Sequence, residues 1–182
     1  MRLFTGIAPG GDVPSNLEKT LAELRPLAPL RWSPLENLHI TTKFIGEWPG
    51  ERLEELRSAL DRVPAPPPFP VTIARFGYYP NPHHPKVLFA AVQAGAPGLG
   101  LLASRIDEAL IPLGVAAEDR PYMPHLTLAR IGNENIRAVR EHIANMTNFD
   151  FGTFQLSGFH LYLSKPHSVY TRLATFALDS RA

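Results

Sequence analysis

The chain contains no cysteine among its 182 residues. This absence excludes disulfide bonds, thiol nucleophiles and cysteine-ligated zinc sites, and it is compatible with a reducing compartment. Long apolar runs are also missing, because the N-terminus reaches Pro9 and two glycines before a segment of signal-peptide length has formed. No later segment approaches the length of a membrane span. We therefore expect a cytoplasmic protein that does not contact a membrane.

Neither sign of charge predominates. The chain has 18 Lys and Arg against 17 Asp and Glu, which gives a formal net charge of +1. A protein that coats nucleic acid through bulk charge needs a clear surplus of cations, so the composition argues against that mode. A local anion pocket, or contact with an RNA end, stays open. With 45% hydrophobic and 19% charged residues, the chain suits a single globular domain, 1–182, with two lobes that share a core.

One short pattern occurs twice: His39-Ile40-Thr41-Thr42 and His125-Leu126-Thr127-Leu128. Each copy has the alternation of a β-strand, in which residues two apart share a face, so His and Thr point the same way. An imidazole transfers protons near neutral pH, and a hydroxyl is a neutral hydrogen-bonding group. Two such strands side by side would therefore form a pocket with an acid, a base and two anchors.

Apolar spacing and turn residues predict four helices and seven strands around these motifs. The predicted helices are 12–25, 51–62, 98–113 and 134–144, and the predicted strands are 2–8, 38–45, 71–77, 86–93, 125–131, 153–163 and 168–178. A strand and a helix precede each motif strand and a helix follows it, as in a duplicated unit. We predict an α+β, bilobal fold with two small, mostly antiparallel sheets facing each other across a central groove and helices outside.

Rival chemistries fit the residues less well. Neither copy has a second His or a carboxylate at ligand spacing, and Thr is a poor zinc ligand, so we predict no metal site. A serine-nucleophile triad also fits badly, because no serine lies in the G-x-S-x-G motif, the strand-turn-helix elbow that carries such a nucleophile. The remaining histidines are scattered and are interpreted as solvated or packed residues: His83, His84, His142, His160 and His167.

The paired motifs and their flanks resemble the two H-x-T-x signatures of the 2H phosphoesterase superfamily. The flanking matches are 1–4, 31–32, 36–39, 43–46, 120–130 and 169–173, and they are most similar to the RNA 2′,3′-cyclic phosphodiesterase branch, the LigT/ThpR-type proteins also called 2′-5′ RNA ligases. The resemblance implies hydrolysis of a 2′,3′-cyclic phosphate to a 2′-phosphomonoester without metal or cofactor, and it allows a reverse 2′-5′ ligation. The expected partner is an RNA with a cyclic phosphate end, or a small cyclic-phosphate nucleotide, and a monomer is expected.

The chemistry assigns His39 and His125 as acid and base, with Thr41 and Thr127 donating to the phosphoryl oxygens. The residues leave open which histidine is which, and the resemblance favours His125 as the base. Arg130 matches the H-x-T-x-x-R of the family and would supply positive charge. Strict alternation places Arg130 on the face opposite His125, so this role requires a bulge, a local twist or a long reach.

Three further residues are candidates for contacts with the substrate. Lys43 falls on the His39 face by alternation, where it is either a groove-edge cation or a solvated lysine. Phe4 and Tyr170 are candidates for base stacking. Two alternative functions share the same site: a 2H phosphoesterase that acts on a cyclic nucleotide or a 2′-5′ oligoadenylate, and a module that binds an RNA end without cleaving it.

Overall fold

The computed structural model describes residues 1–178. Its strands are β1 (Arg2–Ile7), β2 (Arg31–Trp32), β3 (Ile40–Glu47), β4 (Phe69–Tyr79), β5 (Val87–Ala94), β6 (His125–Arg130), β7 (Asp150–Leu156), β8 (Gly158–Lys165) and β9 (Val169–Ala177). Its helices are α1 (Val13–Leu24), α2 (Leu53–Asp61), α3 (Ala96–Leu110) and α4 (Arg137–Asn145). The last residues of the predicted domain, 179–182, and the side chain of His167 lie outside the described part.

The four predicted helices are present, because apolar residues recur at helical spacing in each. In α1 the buried stripe is Val13, Leu17, Leu21 and Leu24, and Pro14 occupies the first turn, where its missing N–H costs nothing. In α3 the buried stripe includes Leu99, Leu102 and Ile106. No helix within residues 1–178 has the length and apolar character that a membrane crossing requires.

The strands form one nine-stranded sheet, in the order β7-β4-β5-β6-β3-β1-β8-β9, with β2 beside β6. Every strand pair is antiparallel. The two predicted half-sheets are thus joined at their motif strands, where Ile40 on β3 pairs with Leu126 on β6. The predicted α+β duplicated fold is confirmed, and its two halves meet at the repeated motif.

The single strand predicted over 153–163 is wrong, because the chain forms two strands there, β7 and β8, separated by Ser157. β7 lies at the edge beside β4, whereas β8 lies between β1 and β9. Since one residue links strands of opposite halves, the sheet must curl. Gly158 permits the break, because a Cβ at this position would lie 2.7 Å from the carbonyl oxygen of Phe176.

The two faces of the sheet differ in burial. Leu3, Ile7, Ile40 and Leu126 are at most 1% exposed and belong to one hydrophobic core with the stripes of α1, α2 and α3. We call this side the helix face. The opposite side carries Thr41 and Thr127, and we call it the histidine face.

Candidate functional site

The register of β3 against β6 brings the two motifs together. Ile40 and Leu126 are paired and both point to the helix face. In antiparallel strands the flanking residues are then neighbours across the pair: His39 lies beside Thr127, and Thr41 lies beside His125. Each histidine therefore shares the space above the sheet with the threonine of the other motif.

The two histidines are held in the same way. Nδ1 of His39 lies 2.7 Å from the carbonyl oxygen of Asn37, and Nδ1 of His125 lies 2.7 Å from the carbonyl oxygen of Met123. A carbonyl only accepts, so Nδ1 is the donor in both rings. The remaining Nε2 is a base when the ring is neutral and an acid when it is charged. The duplicated hydrogen bond thus gives both motifs a proton-transfer atom.

Burial lowers the pKa of His39, and the positive charges of His125 and Arg130 lower it further. The hydrogen bond to the Asn37 carbonyl opposes this shift, because it favours the charged ring. The charges of His125 and Arg130 both act on His39, as expected for groups on the same face of adjacent strands.

Aromatic rings surround His39. The Phe4 ring lies 4.8 Å from the His39 ring between centroids, and Tyr170 meets His39 edge-on at 5.2 Å. Tyr162 stacks on Phe4 at 5.1 Å and lies 6.1 Å from the His39 ring, so the three rings form a triangle. Gly6 makes room for the imidazole, because a Cβ there would lie 3.4 Å from Cδ2 of His39. The ring of His39 is therefore fixed by packing as well as by its hydrogen bond.

Arg130 lies on the histidine face because β6 contains a bulge. Phe89 pairs with Thr127 and Leu88 pairs with Ala129, so Leu128 is the extra residue. Leu128 and Ala129 are both buried, and alternation resumes one residue later. The bulge required for Arg130 to share a face with His125 is present.

A bulge in β3 also makes wrong the expectation that Lys43 shares a face with His39. Gly6 pairs with Thr41 and Thr5 pairs with Lys43, so Thr42 is the extra residue and Lys43 turns to the helix face. Lys43 is 5% exposed, its Nζ is ion-paired with Asp107 on α3, and it donates to the carbonyl oxygen of Ala116 at 2.6 Å. Lys43 thus anchors α3 beneath the first motif and does not reach the substrate side.

The duplicated bulge also identifies a residue that the sequence interpretation missed. Phe44 stands in its motif where Arg130 stands in the other, and both lie on the histidine face. Phe44 is 61% exposed, although large apolar residues favour burial. The site consequently has a cationic end at Arg130 and an aromatic end at Phe44.

The two base-stacking candidates differ in exposure. Phe4 is 4% exposed and packs against the rings of His39 and Tyr162, so its burial contradicts the expectation that it contacts a base. Tyr170 is half-buried, and its contact with a base stays a prediction.

Two more contributors were not predicted. Tyr122 donates its hydroxyl to the Thr41 carbonyl at 2.8 Å, which ties the entry of the second motif to the first. His160, interpreted from sequence as a packed or solvated residue, is opposite Gly6 on β8 and therefore lies on the histidine face. An isolated glycine within a strand, as at Gly6, was the available signal for a close approach. Within residues 1–178, no three His, Asp or Glu side chains form a group that could hold a metal ion.

Comparison with known proteins agrees with this geometry. The family model of LigT-like phosphoesterases matches residues 7–89 and 91–170, one motif in each segment. An RNA 2′,3′-cyclic phosphodiesterase of Methanocaldococcus jannaschii is 32% identical over 168 residues, which are 90% of this chain and 91% of the relative. One of Thermus thermophilus is 33% identical over 139 residues, 71% of this chain and 68% of the relative.

Solved structures share the fold. The protein TT0787 of Thermus thermophilus is 28% identical, with a TM-score of 0.79 and complete coverage of both chains. E. coli LigT in complex with 3′-AMP is 24% identical, with a TM-score of 0.76 and coverage of 97% of each chain. With the family model spanning both halves, the chain belongs to the LigT-like phosphoesterases of the 2H superfamily.

Proposed function

We propose that this protein hydrolyses the 2′,3′-cyclic phosphate at the end of an RNA to a 2′-phosphomonoester. The observation that carries the proposal is the matched pair of histidines, each fixed through Nδ1 and each beside the threonine of the other motif. The names of the relatives from Methanocaldococcus jannaschii and Archaeoglobus fulgidus, both RNA 2′,3′-cyclic phosphodiesterases, support this substrate class.

The reaction needs two proton transfers on opposite sides of the phosphorus. Nε2 of His125 takes a proton from water while the water oxygen forms a bond to phosphorus. The bond from phosphorus to the ribose O3′ breaks, and Nε2 of His39 gives its proton to that oxygen. The product keeps its phosphate on O2′. We assign His39 as the acid on the resemblance to the family; in this role the bound phosphate anion favours the charged ring and opposes the effect of burial on its pKa.

The remaining groups stabilise charge on the phosphoryl oxygens. The hydroxyls of Thr41 and Thr127 lie beside the two histidines and donate to the oxygens that do not leave. The guanidinium of Arg130 interacts with the negative charge that develops there. With the 5′-hydroxyl of a second RNA in place of water, the same transfers form a 2′-5′ linkage.

The two ends of the site suit the two sides of a terminal nucleotide. A ribose carries its base at C1′ and the rest of the RNA at C5′, at opposite ends of the sugar. We propose that the base lies towards Phe44 and Tyr170, whereas the RNA chain leaves towards Arg130.

The test is incubation of the protein with a nucleoside 2′,3′-cyclic phosphate in buffer containing EDTA, followed by phosphorus NMR of the product. We expect turnover and a 2′-phosphate. A 3′-phosphate would contradict the proposed cleavage of the bond to O3′, and binding without turnover would favour the RNA-end module. Preferred turnover of a 3′,5′-cyclic nucleotide or a 2′-5′ oligoadenylate would favour the other phosphoesterase. Loss of activity in EDTA that zinc or manganese restores would favour a metal mechanism.

A further inference from the structure

Two arginines lie directly opposite each other at the cationic end of the site. Arg31 on β2 pairs with Arg130 on β6. Paired residues of antiparallel strands project from the same face, with their Cα atoms about 5 Å apart. Arg31 therefore lies on the histidine face beside Arg130. Like charges in this relation destabilise a sheet, so the pair calls for a compensating anion.

The neighbouring carboxylate of Glu134 interacts with Arg31 without forming an ion pair with it. The backbone N–H groups of Glu134 and Gly132 lower the pKa of the Glu134 carboxyl, and the charges of Arg31 and Lys86 contribute less. The Gly132 N–H donates to one of its oxygens. Among the residues that the structure describes, no carboxylate lies within 4.0 Å of a nitrogen of Arg31, Arg130 or Lys86. Neither arginine is therefore engaged in an ion pair with a carboxylate of the described residues, and both can bind a ligand anion.

The positive surface continues beyond the pair. The carbonyl oxygen of Lys86 accepts the N–H of Ile131, the residue after Arg130, at 2.8 Å. Lys86 is exposed and lines a cleft of about 600 Å³ between segments 82–86 and 131–137. Arg31 and Lys86 therefore flank β6 on its two sides, Arg31 on β2 and Lys86 just before β5.

We propose that Arg31 binds the phosphodiester that precedes the reacting end of the RNA. This inference rests on the proposed function and extends it, because it makes an oligoribonucleotide the preferred substrate over a mononucleotide. A guanidinium binds two phosphate oxygens through parallel N–H groups, and an anion between Arg31 and Arg130 replaces repulsion by two attractions. The cyclic phosphate itself lies at the histidines, further along β6.

The test compares two substrates: a nucleoside 2′,3′-cyclic phosphate, which has no second phosphate, and a trinucleotide with the same cyclic end. In Arg31→Gln, kcat/KM for the trinucleotide should fall about tenfold, while the value for the nucleoside stays within about twofold. Arg62→Gln, an exposed cation at the end of α2, is the matched control and should change neither value.

Binding of the trinucleotide product gives a second readout that does not need turnover. For wild type, the logarithm of the binding constant should fall linearly with the logarithm of salt concentration, and Arg31→Gln should reduce that slope by about 0.7, the effect of one lost phosphate contact on a single strand. Because the substitution removes one member of a like-charge pair, its thermal midpoint should not fall.

The outcomes separate this inference from the proposed function. Equal losses on both substrates would show that Arg31 acts on the reacting phosphate, and no loss on either would show that it binds none; both overturn the subsite. Wild type that hydrolyses neither substrate would overturn the proposed function. In that case a reduced salt slope in Arg31→Gln would still support the phosphate subsite, and an unchanged slope would overturn it as well.

Discussion

The hydroxyl of Tyr122 donates a hydrogen bond to the backbone carbonyl oxygen of Thr41 at 2.8 Å. Burial raises the pKa of Tyr122, so the hydroxyl keeps its proton and remains a donor throughout the working range of pH. Tyr122 precedes the second motif and Thr41 belongs to the first. This bond therefore holds the two halves of the site in register from below the reacting atoms.

The substitution Tyr122→Phe tests this coupling. It removes the donor and leaves the ring, so the free energy of unfolding should fall by about 1–2 kcal/mol in urea titrations. Because Thr41 loses its anchor, kcat/KM on a nucleoside 2′,3′-cyclic phosphate should fall as well, with a smaller effect than removal of a histidine. Tyr79→Phe, at an exposed tyrosine, is the control, and equal effects of the two substitutions would contradict the coupling.

The histidines should dominate catalysis. His39→Ala and His125→Ala should each lower kcat/KM at least ~10²-fold, because each removes one of two proton transfers. The double variant should lose less than the product of the single losses, since the two groups act in one step. His84→Ala, at an exposed histidine in the loop before β5, should retain activity. Near-wild-type rates in either single variant would end the two-histidine mechanism.

A sulfur atom in place of the ribose O3′ distinguishes acid from base. A thiolate leaves without a proton, because thiols are far more acidic than alcohols. If His39 is the acid, His39→Ala should be strongly impaired on the oxygen substrate and nearly unimpaired on the sulfur substrate. His125→Ala should be impaired on both, because water still needs a base. The opposite pattern would exchange the two roles.

Much of the site could be predicted from the sequence because the repeat is local. A His and a Thr two residues apart share a face in any strand, so each motif could be oriented without knowledge of the fold. The register that pairs Ile40 with Leu126 was not predicted. The helices followed from the same kind of regularity. The spacing of residues along the chain was enough to predict the orientation of each motif and the four helices.

The errors come from single residues that interrupt the spacing. The bulge at Thr42 turns Lys43 to the helix face, and the bulge at Leu128 turns Arg130 to the histidine face. A run of alternating residues conceals the break at Ser157, since either side favours strands. A bulge or a strand exchange is decided by pairing partners distant in sequence, so one strand read alone cannot reveal it.

The buried position of Lys43 predicts an effect on stability with little effect on chemistry. Lys43→Met removes the cation and leaves Asp107 without its ion pair, so the free energy of unfolding should fall by about 3 kcal/mol. The remaining folded protein should keep kcat on a nucleoside 2′,3′-cyclic phosphate within about threefold. Lys19→Met, on the surface of α1, is the control for the loss of a lysine charge. A large loss of kcat with unchanged stability would contradict this structural role and would indicate that Lys43 contacts the substrate.

The remaining prediction concerns stability below neutral pH. Burial, with a smaller contribution from the charge of Arg172, lowers the pKa of His160 to about 4. The ring lies against Tyr162 and bonds Thr175 through Nδ1 at 3.0 Å. In the unfolded chain a histidine binds a proton near pH 6.5, so between pH 6.5 and 4 the unfolded state holds more protons than the folded state. The free energy of unfolding therefore decreases as the pH is lowered through this range.

His160→Asn keeps a polar partner for Thr175 and removes the titration. Between pH 7 and pH 5, wild type should lose about 1 kcal/mol more unfolding free energy than the variant, a value reduced for solvent screening. Urea titrations at the two pH values measure the difference. His39, whose pKa burial also lowers, contributes a loss in the same direction to both proteins, so only the difference between them reports on His160. Equal losses would mean that His160 gains its proton as readily when folded as when unfolded, and this would contradict the effect of its burial and of the Arg172 charge.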